Sequence, residues 1–211
     1  MERLVQPKIV IRPSTDADVG MMLAIYAHHI ENGVGDLGTY DREPLDGNDI
    51  KQRRKNMKNR HLPHLVAECD GTVAGYAYAV PFRKRPAYRY TVKHSIYVHP
   101  AFVGAGVGSL LLPALVDACT AAGYRQLIGY IDAANGASLK LHESCGFREV
   151  GRLPSVAFKF GHWSDTVMVQ CALGPGDAEL PGPWSGAAPV PVKHDAAENK
   201  PKPYTGKFSG W

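Results

Sequence analysis

Apolar residues divide the first 173 positions into short elements with recognisable periods. An acidic turn that begins at Thr15 precedes a run with the spacing of one helix face, formed by Val19, Met22, Leu23, Tyr26 and Ile30. A second, polar helix is expected from residue 46 or 48 to about 59. Two apolar runs, 64–69 and 72–80, flank Asp70-Gly71, a pair typical of a β-hairpin turn.

The segment 93–147 predicts a strand, a glycine-rich loop, a helix, a strand and a second helix in that order. The first strand is expected at 91–98, and the loop contains Gly104, Gly106 and Gly108. In the helix after the loop, we expect Leu111, Leu115 and Ala118 on the core face, with Leu110 beside them. A strand at 8–12 and a closing strand at 165–173 complete a mixed sheet. The predicted fold class is therefore α/β, or α+β in the broader sense.

Composition indicates one globular domain, at residues 1–173, followed by an irregular tail at 174–211 that is rich in Pro and Gly. The 211 residues are 45% hydrophobic and 21% charged, and the net charge of +4 is too small to indicate a nucleic-acid partner. No signal peptide or membrane span is predicted. The four cysteines lack metal-ligand spacing, so we expect buried thiols, no metal and a cytoplasmic protein.

The glycine loop admits three interpretations besides a tight strand-to-helix turn. A nucleoside triphosphate loop needs Lys and then Ser or Thr after its last glycine, whereas Ser109-Leu110 follow Gly108 here. A dinucleotide loop needs G-x-G-x-x-G, and the spacing here is G-x-G-x-G. The third interpretation is a pyrophosphate loop in which backbone N–H groups at a helix start hold the phosphates.

Several spaced motifs resemble the GCN5-related N-acetyltransferase (GNAT) superfamily. The sequence V-G-A-G-V-G at 103–108 is similar to its pyrophosphate loop, and N-G-A-S at 135–138 with L-H-E at 141–143 and G-F at 146–147 is similar to its second signature. The runs at 81–91, 95–100 and 151–163 resemble the phosphinothricin and methionine sulfone acetyltransferase branch. The resemblance covers residues 8–173. It implies a twisted mixed sheet with helices on both faces and an acyl-CoA-binding β-loop-α unit.

The resemblance implies acetyl-CoA as co-substrate and a set of contacts for it. Backbone groups of Ile96, Tyr97 and Val98, on a strand that splays from its neighbour, are expected to pair with the pantetheine arm. A backbone N–H there, at Tyr97, would also polarise the acetyl carbonyl. The expected phosphate contacts are Val103, Gly104, Ala105, Gly106, Val107, Gly108 and Ser109. Val103 departs from the family, which has Gln or Arg there. Asn135 and Ser138 are expected beside the pantetheine arm, although Asn135 is equally suited to cap a helix.

Catalytic and substrate roles also follow from the resemblance. His142 stands where the superfamily has a Tyr that protonates the thiolate, and an imidazole serves as general acid or base near neutral pH. Lys93 replaces the Glu that the branch uses as general base, so His94, His142 or a water chain is expected to take that role. Thr39, Tyr40, Arg83, Arg85, Tyr88 and Lys93 are the expected substrate contacts.

We therefore expect an acetyl-CoA-dependent N-acetyltransferase that forms a homodimer and acts on a small primary amine. The expected acceptor is an amino acid or a glutamate analogue such as phosphinothricin or methionine sulfone. Two alternatives stay open from the sequence. One is acetylation of a protein N-terminus or a polyamine, and the other is an acyl-CoA sensor with lost or slow catalysis. Nucleic-acid and membrane partners are not expected.

Overall fold

The structure, a computed structural model, describes residues 8–32 and 46–182. The strands are β1 (Ile9–Pro13), β2 (His64–Cys69), β3 (Thr72–Pro81), β4 (Thr91–Val98), β5 (Gln126–Asp132), β6 (Arg148–Lys159) and β7 (His162–Ala172). The helices are α1 (Val19–Asn32), α2 (Gly47–Lys58), α3 (Val107–Ala121) and α4 (Gly136–Ser144). Within the described ranges, no helix is long and apolar enough to cross a membrane.

Seven strands form one sheet in the order β1-β2-β3-β4-β5-β7-β6. Every neighbouring pair is antiparallel except β4 and β5, which are parallel. The parallel pair arises because α3 crosses from the end of β4 back to the start of β5. The predicted mixed sheet is confirmed.

Helices cover both faces of the sheet, as predicted. Successive residues of β4 separate the two faces: Tyr97 packs into a cluster with residues of α1 and α2, whereas Ile96 packs against a cluster that contains α3. Tyr97 and Tyr76 lie opposite each other in the β3–β4 register, and their rings stack 4.9 Å apart. The core therefore has two layers, one on each side of β3 and β4.

The hairpin between β2 and β3 has the predicted turn. Asp70 and Gly71 have φ angles of 48° and 79°, and both positive values are required by the tight two-residue turn that matches strand twist. Asp tolerates this region better than most residues because its short side chain bonds locally. The turn fixes the β2–β3 register, which places His64 beside Tyr78.

The prediction for the core face of α3 is wrong in part. Leu111 and Leu115 are fully buried as expected, but Ala118 is only half-buried, and Leu112 and Cys119, which were not expected, complete the buried face. Leu110, expected beside that face, is 48% exposed. The helix starts at Val107, after Gly106 in the left-handed region, and this start sets the rotation of the helix. All four cysteines are free, and Cys145 alone among them is half-buried rather than buried.

Residues 174–182 contain no helix or strand, which agrees with the composition of this segment. Leu173, just before it, is fully buried, and its amide donates to the carbonyl of Arg125. The Tyr90 hydroxyl donates to the carbonyl of Gly182 at 3.3 Å, so this segment folds back towards the start of β5. The rest of the predicted tail, 183–211, lies outside the described residues, and the boundary at 173 stays a prediction.

Candidate active site

β4 and β5 pair over only three positions and then diverge. Their last register pair is Lys93 with Ile128, so the five residues of β4 that follow have no partner in β5. The His94 ring takes the place of the next rung, because its Nδ1 lies 3.1 Å from the carbonyl oxygen of Ile128. Gly129 leaves room for that ring: a β-carbon there would lie 2.9 Å from Cε1 of His94. The predicted splay of β4 is thus present.

The divergence opens a cleft of about 590 Å³, its mouth included. Its lining residues are His29, His94, Ser95, Ile96, Tyr97, Gly129, Tyr130, Ile131, Asn135, Ser138 and His142. Because neighbouring strand residues alternate between faces, Tyr97 and Tyr130 line the cleft on the α1 side, and Ile96 and Ile131 line it on the α4 side. The cleft therefore passes between the two faces of the sheet.

His94 and His142 form a buried pair at the α4 side of this cleft. Their Nε2 atoms are 2.9 Å apart, and the two residues are 8% and 2% exposed. Since Nδ1 of His94 faces a carbonyl, it must carry hydrogen and donate to Ile128. Nε2 of His94 then accepts, and Nε2 of His142 donates to it.

The remaining nitrogen of the pair, Nδ1 of His142, has two partners on Ser138. The Ser138 carbonyl oxygen is 2.7 Å away and the hydroxyl Oγ is 3.4 Å away. The pair therefore makes three contacts that each need a hydrogen, two to carbonyls and one between the rings, whereas two neutral imidazoles carry only two N–H groups. A pair that has gained one proton satisfies all three, with Nδ1 of His142 donating to the Ser138 carbonyl; in the neutral pair, the nearby Ser138 hydroxyl is the donor available to Nδ1.

Burial favours the neutral state of this pair. It lowers the pKa of His94 to about 3, with the neighbouring His142 adding to the effect and the Ile128 carbonyl opposing it. Burial also lowers the pKa of His142, which the Ser138 carbonyl opposes. A proton taken up at Nδ1 of His142 is therefore held weakly and is readily passed on.

The glycine loop has the geometry of an anion site. Gly104 and Gly106 have φ angles of 83° and 81°, in the left-handed region that favours glycine. α3 begins directly after Gly106, so the first amides of a 15-residue helix have no intrahelical acceptor. Val103 is 72% exposed and adds no polar contact. An anion here would meet the positive end of the helix and the free amides at its start, although the Ala105 amide already donates to the Phe102 carbonyl. The phosphate contacts expected from the sequence stay a prediction.

Asn135 both caps α4 and lines the cleft, which combines the two roles considered from the sequence. Its side-chain oxygen accepts from the amide of Ser138 at 3.0 Å. This cap sets the start of α4, and about two turns later the helix presents His142 to His94. Asn135, Ser138 and His142 thus reach the cleft from one short helix.

The predicted substrate residues are not brought together with the cleft. Arg83 and Tyr88 lie in the connection between β3 and β4, where the guanidinium of Arg83 packs 5.7 Å from the Tyr88 ring. Arg85 precedes the short helix Pro86–Tyr88 in the same connection. Lys93 is exposed at the last β4–β5 rung, just outside the cleft lining. Thr39 and Tyr40 lie outside the described residues.

Five of the residues that line the cleft were missed in the sequence: His29, Ser95, Gly129, Tyr130 and Ile131. His29 is half-buried on α1, and its Nε2 lies 2.9 Å from the carbonyl oxygen of Val98. This contact occupies one of the β4 backbone groups that the sequence assigned to the cofactor. The two adjacent histidines at 28 and 29 were the available signal, since a helix can turn only one of them towards the sheet.

The comparisons with known proteins agree with one another. The model of the acetyltransferase (GNAT) family matches residues 27–147. The phosphinothricin N-acetyltransferase of Alcaligenes faecalis is 44% identical over 172 residues, which cover 81% of this chain and 86% of that protein. The L-methionine sulfoximine/L-methionine sulfone acetyltransferase of Salmonella typhimurium is 42% identical over 165 residues, 78% of this chain and 95% of that protein. The structure of a phosphinothricin acetyltransferase of Sinorhizobium meliloti, solved in complex with AcCoA, superposes on this chain with a TM-score of 0.79 at 37% sequence identity. The match covers 84% of this chain and 97% of the S. meliloti chain.

Proposed function

Because this chain belongs to the acetyltransferase (GNAT) family, we propose that it acetylates the α-amine of a free amino acid or a glutamate analogue, with phosphinothricin and methionine sulfone as the first candidates. The reaction class is N-acetylation with acetyl-CoA as co-substrate. The observation that carries the proposal is the cleft between β4 and β5, which is lined by the buried pair His94 and His142 on one face of the sheet and by aromatic side chains on the other.

The residues present fit acetyl-CoA. The glycine loop offers backbone amides to the pyrophosphate, and an anion there is stabilised by the positive end of α3. Beyond Lys93, β4 has no strand partner on the cleft side, so the backbone groups that it turns to the cleft, other than the Val98 carbonyl bonded to His29, are available to the amides of a pantetheine arm. The thioester supplies an activated acetyl group. The amides of Ile96, Tyr97 and Val98 are our candidates for polarising its carbonyl.

We assign proton transfer on the α4 side of the cleft to the His94–His142 pair. As the C–N bond forms and the C–S bond breaks, the acceptor nitrogen must lose a proton and the sulfur must gain one. Nδ1 of His142 accepts the proton through the Ser138 hydroxyl and then returns it to the thiolate. Burial lowers the pKa of His142, so the imidazolium gives up its proton readily, as a proton relay requires.

An anionic group on the acceptor is favoured by the cation at the edge of the cleft. Lys93 faces the α1 side of the sheet, as do Ser95 and Tyr97, because all three are odd-numbered residues of β4. A Lys there repels a cationic polyamine and attracts a carboxylate or phosphinate. Arg83, Arg85 and Tyr88 continue the same surface along the β3–β4 connection, and we include them as outer contacts for this anionic group.

A homodimer is the proposed assembly. β6 is the edge strand of the sheet, and five apolar residues on β6, β7 and their turn are more than half exposed: Val150, Val156, Phe158, Phe160 and Trp163. An edge strand with exposed apolar side chains is a surface that pairs with another chain. Light scattering should show a dimer, and Trp163→Glu should shift it towards monomer.

The direct test is thiol release from acetyl-CoA in the presence of a panel of amines. The panel contains free amino acids, phosphinothricin, methionine sulfone, a polyamine and a peptide with a free N-terminus. The proposal requires turnover with amino acids or their analogues at least tenfold above the polyamine and the peptide. Binding of acetyl-CoA without turnover on any amine would overturn it in favour of a sensor.

A further inference from the structure

The amine of a free amino acid is an ammonium ion at neutral pH and must lose a proton before it can attack. Among the residues that the structure describes, no Asp or Glu side chain lines the cleft. Lys93 lies outside the lining. The acceptor face of the cleft therefore needs another base.

The buried histidine pair is poorly placed to be that base. Three of its four ring nitrogens are fixed by the Ile128 carbonyl and by the bond between the two rings. The fourth, Nδ1 of His142, is in contact with Ser138 on the α4 side. On the function proposed above, we place the acceptor on the other face of the sheet, where Tyr97 and His29 of α1 line the cleft.

His29 is the imidazole on that other face. Its Nε2 lies 2.9 Å from the carbonyl oxygen of Val98, in the part of β4 that has diverged from β5. A carbonyl only accepts, so Nε2 carries hydrogen, and the lone pair of the neutral ring is on Nδ1. The Tyr97 ring packs 5.6 Å from the His29 ring at an angle of 60° and limits its rotation.

This arrangement is that of an oriented general base. A hydrogen bond from one ring nitrogen to a fixed carbonyl selects the tautomer and stabilises the imidazolium that forms when the other nitrogen takes a proton. The other titratable groups on this face of the cleft lining are the phenols of Tyr97 and Tyr130, a side-chain type that is a much weaker general base than imidazole near neutral pH.

We propose that His29 is the general base that deprotonates the acceptor ammonium, an inference that rests on the function proposed above. Nδ1 of His29 takes one proton from the ammonium, and the freed nitrogen lone pair forms the C–N bond to the acetyl carbon. The C–S electron pair leaves with sulfur, which receives the second nitrogen proton through the His94–His142 pair. His29 then returns its proton to water, and the acetylated amine and a free thiol are the products.

The test compares His29→Gln with His28→Gln. A Gln at 29 keeps a donor for the Val98 carbonyl but accepts no proton near neutral pH, and His28 is the adjacent histidine on the same helix. We expect His29→Gln to lower kcat/KM for an amino acid 10²-fold or more at pH 7, with acetyl-CoA affinity unchanged. The acidic limb of the wild-type pH profile should disappear, and His28→Gln should stay within threefold of wild type.

A second acceptor separates a base from a merely structural residue. Hydroxylamine is largely neutral at pH 7 and needs no base, so the defect of His29→Gln with hydroxylamine should shrink to less than tenfold. Equal defects with both acceptors, or a pH profile that keeps its acidic limb, would overturn the role of His29. If the wild-type protein turned over no amine at all, the proposed function itself would fail, and this inference with it.

Discussion

Gly129 lies directly against the His94 ring: a β-carbon at residue 129 would be 2.9 Å from Cε1 of His94 and 2.9 Å from Cγ2 of Val169. A strand residue without a side chain therefore makes the space in which His94 ends the β4–β5 ladder. The opening of the sheet depends on this pair, one residue from each strand.

Gly129→Ala should close part of the cleft. The added methyl group must displace His94 or Val169 from a packed environment, at a cost of about 1–3 kcal/mol in the free energy of unfolding. Because a displaced His94 breaks its bond to His142, kcat should fall at least tenfold. Gly20→Ala on α1 is the matched control, since a β-carbon at Gly20 has nothing within 4 Å. Denaturant unfolding and steady-state kinetics on both variants check the prediction.

Removal of the relay should lower turnover more than binding. His142→Gln deletes the nitrogen that contacts Ser138, and we expect kcat to fall 10²–10⁴-fold while the Kd for acetyl-CoA changes less than threefold. Isothermal titration with acetyl-CoA and thiol-release kinetics separate the two quantities. His162→Gln, an exposed histidine in the β6–β7 hairpin, should leave both unchanged. A kcat within fivefold of wild type in His142→Gln would contradict the relay.

A charge placed in the glycine loop should abolish acetyl-CoA binding. Gly106 is in the left-handed region at the start of α3, so Gly106→Glu adds about 1–2 kcal/mol of backbone strain and puts a carboxylate against the pyrophosphate. Gly71→Glu is the control for strain and charge, because Gly71 has a similar φ in the distant β2–β3 turn. Acetyl-CoA affinity should fall more than 100-fold in the first variant only. Retained affinity in Gly106→Glu would show that the loop is merely a turn.

Acid should destabilise the fold through buried histidines before carboxylates titrate. Burial, followed by the charge of Arg54, lowers the pKa of His64 to about 4, from an ordinary value near 6.5. The unfolded chain binds the proton first as the pH falls below about 6.5, so the stabilisation is complete above that pH. Between about pH 6.5 and about pH 4, the free energy of unfolding falls by up to about 1.4 kcal/mol for each pH unit of acidification.

His64→Phe tests this pH dependence. Phenylalanine keeps the stacking of the His64 ring on Tyr78, now 5.4 Å away, but binds no proton. Urea unfolding at pH 4.5, 5.5 and 7 should therefore show a shallower loss of stability in the variant. Parallel curves for the two proteins would mean that His64 is not the group responsible.

The sequence predicted most of the fold because its signals are local. The Asp70-Gly71 turn, the period of α1 and the glycines before α3 each specify a backbone conformation within a few residues, and each was confirmed. The position of Leu110 was not predictable in this way. Which face of α3 is buried depends on where the helix starts and on contacts from β3 and α4 that are remote in the sequence.

Site residues that belong to a sequence motif were identified from the sequence. Site residues that only the topology of the fold brings together were missed. His94 and His142 were both identified as candidates, but their Nε2–Nε2 contact depends on the packing of α4 against β4. His29 is 69 residues from its partner Val98 and belongs to no motif. Gly129 looked like an ordinary strand residue, because the ring that fills its space comes from another strand.

The cleft passes through the sheet, and this has a consequence for how substrates bind and products leave. In the reaction proposed above, the thioester and the amine reach the cleft from opposite faces of the sheet, so each product leaves on its own side. We expect free coenzyme A to compete with acetyl-CoA for its site and not with the amine. Product-inhibition patterns should then be those of a ternary complex in which acetyl moves directly from sulfur to nitrogen.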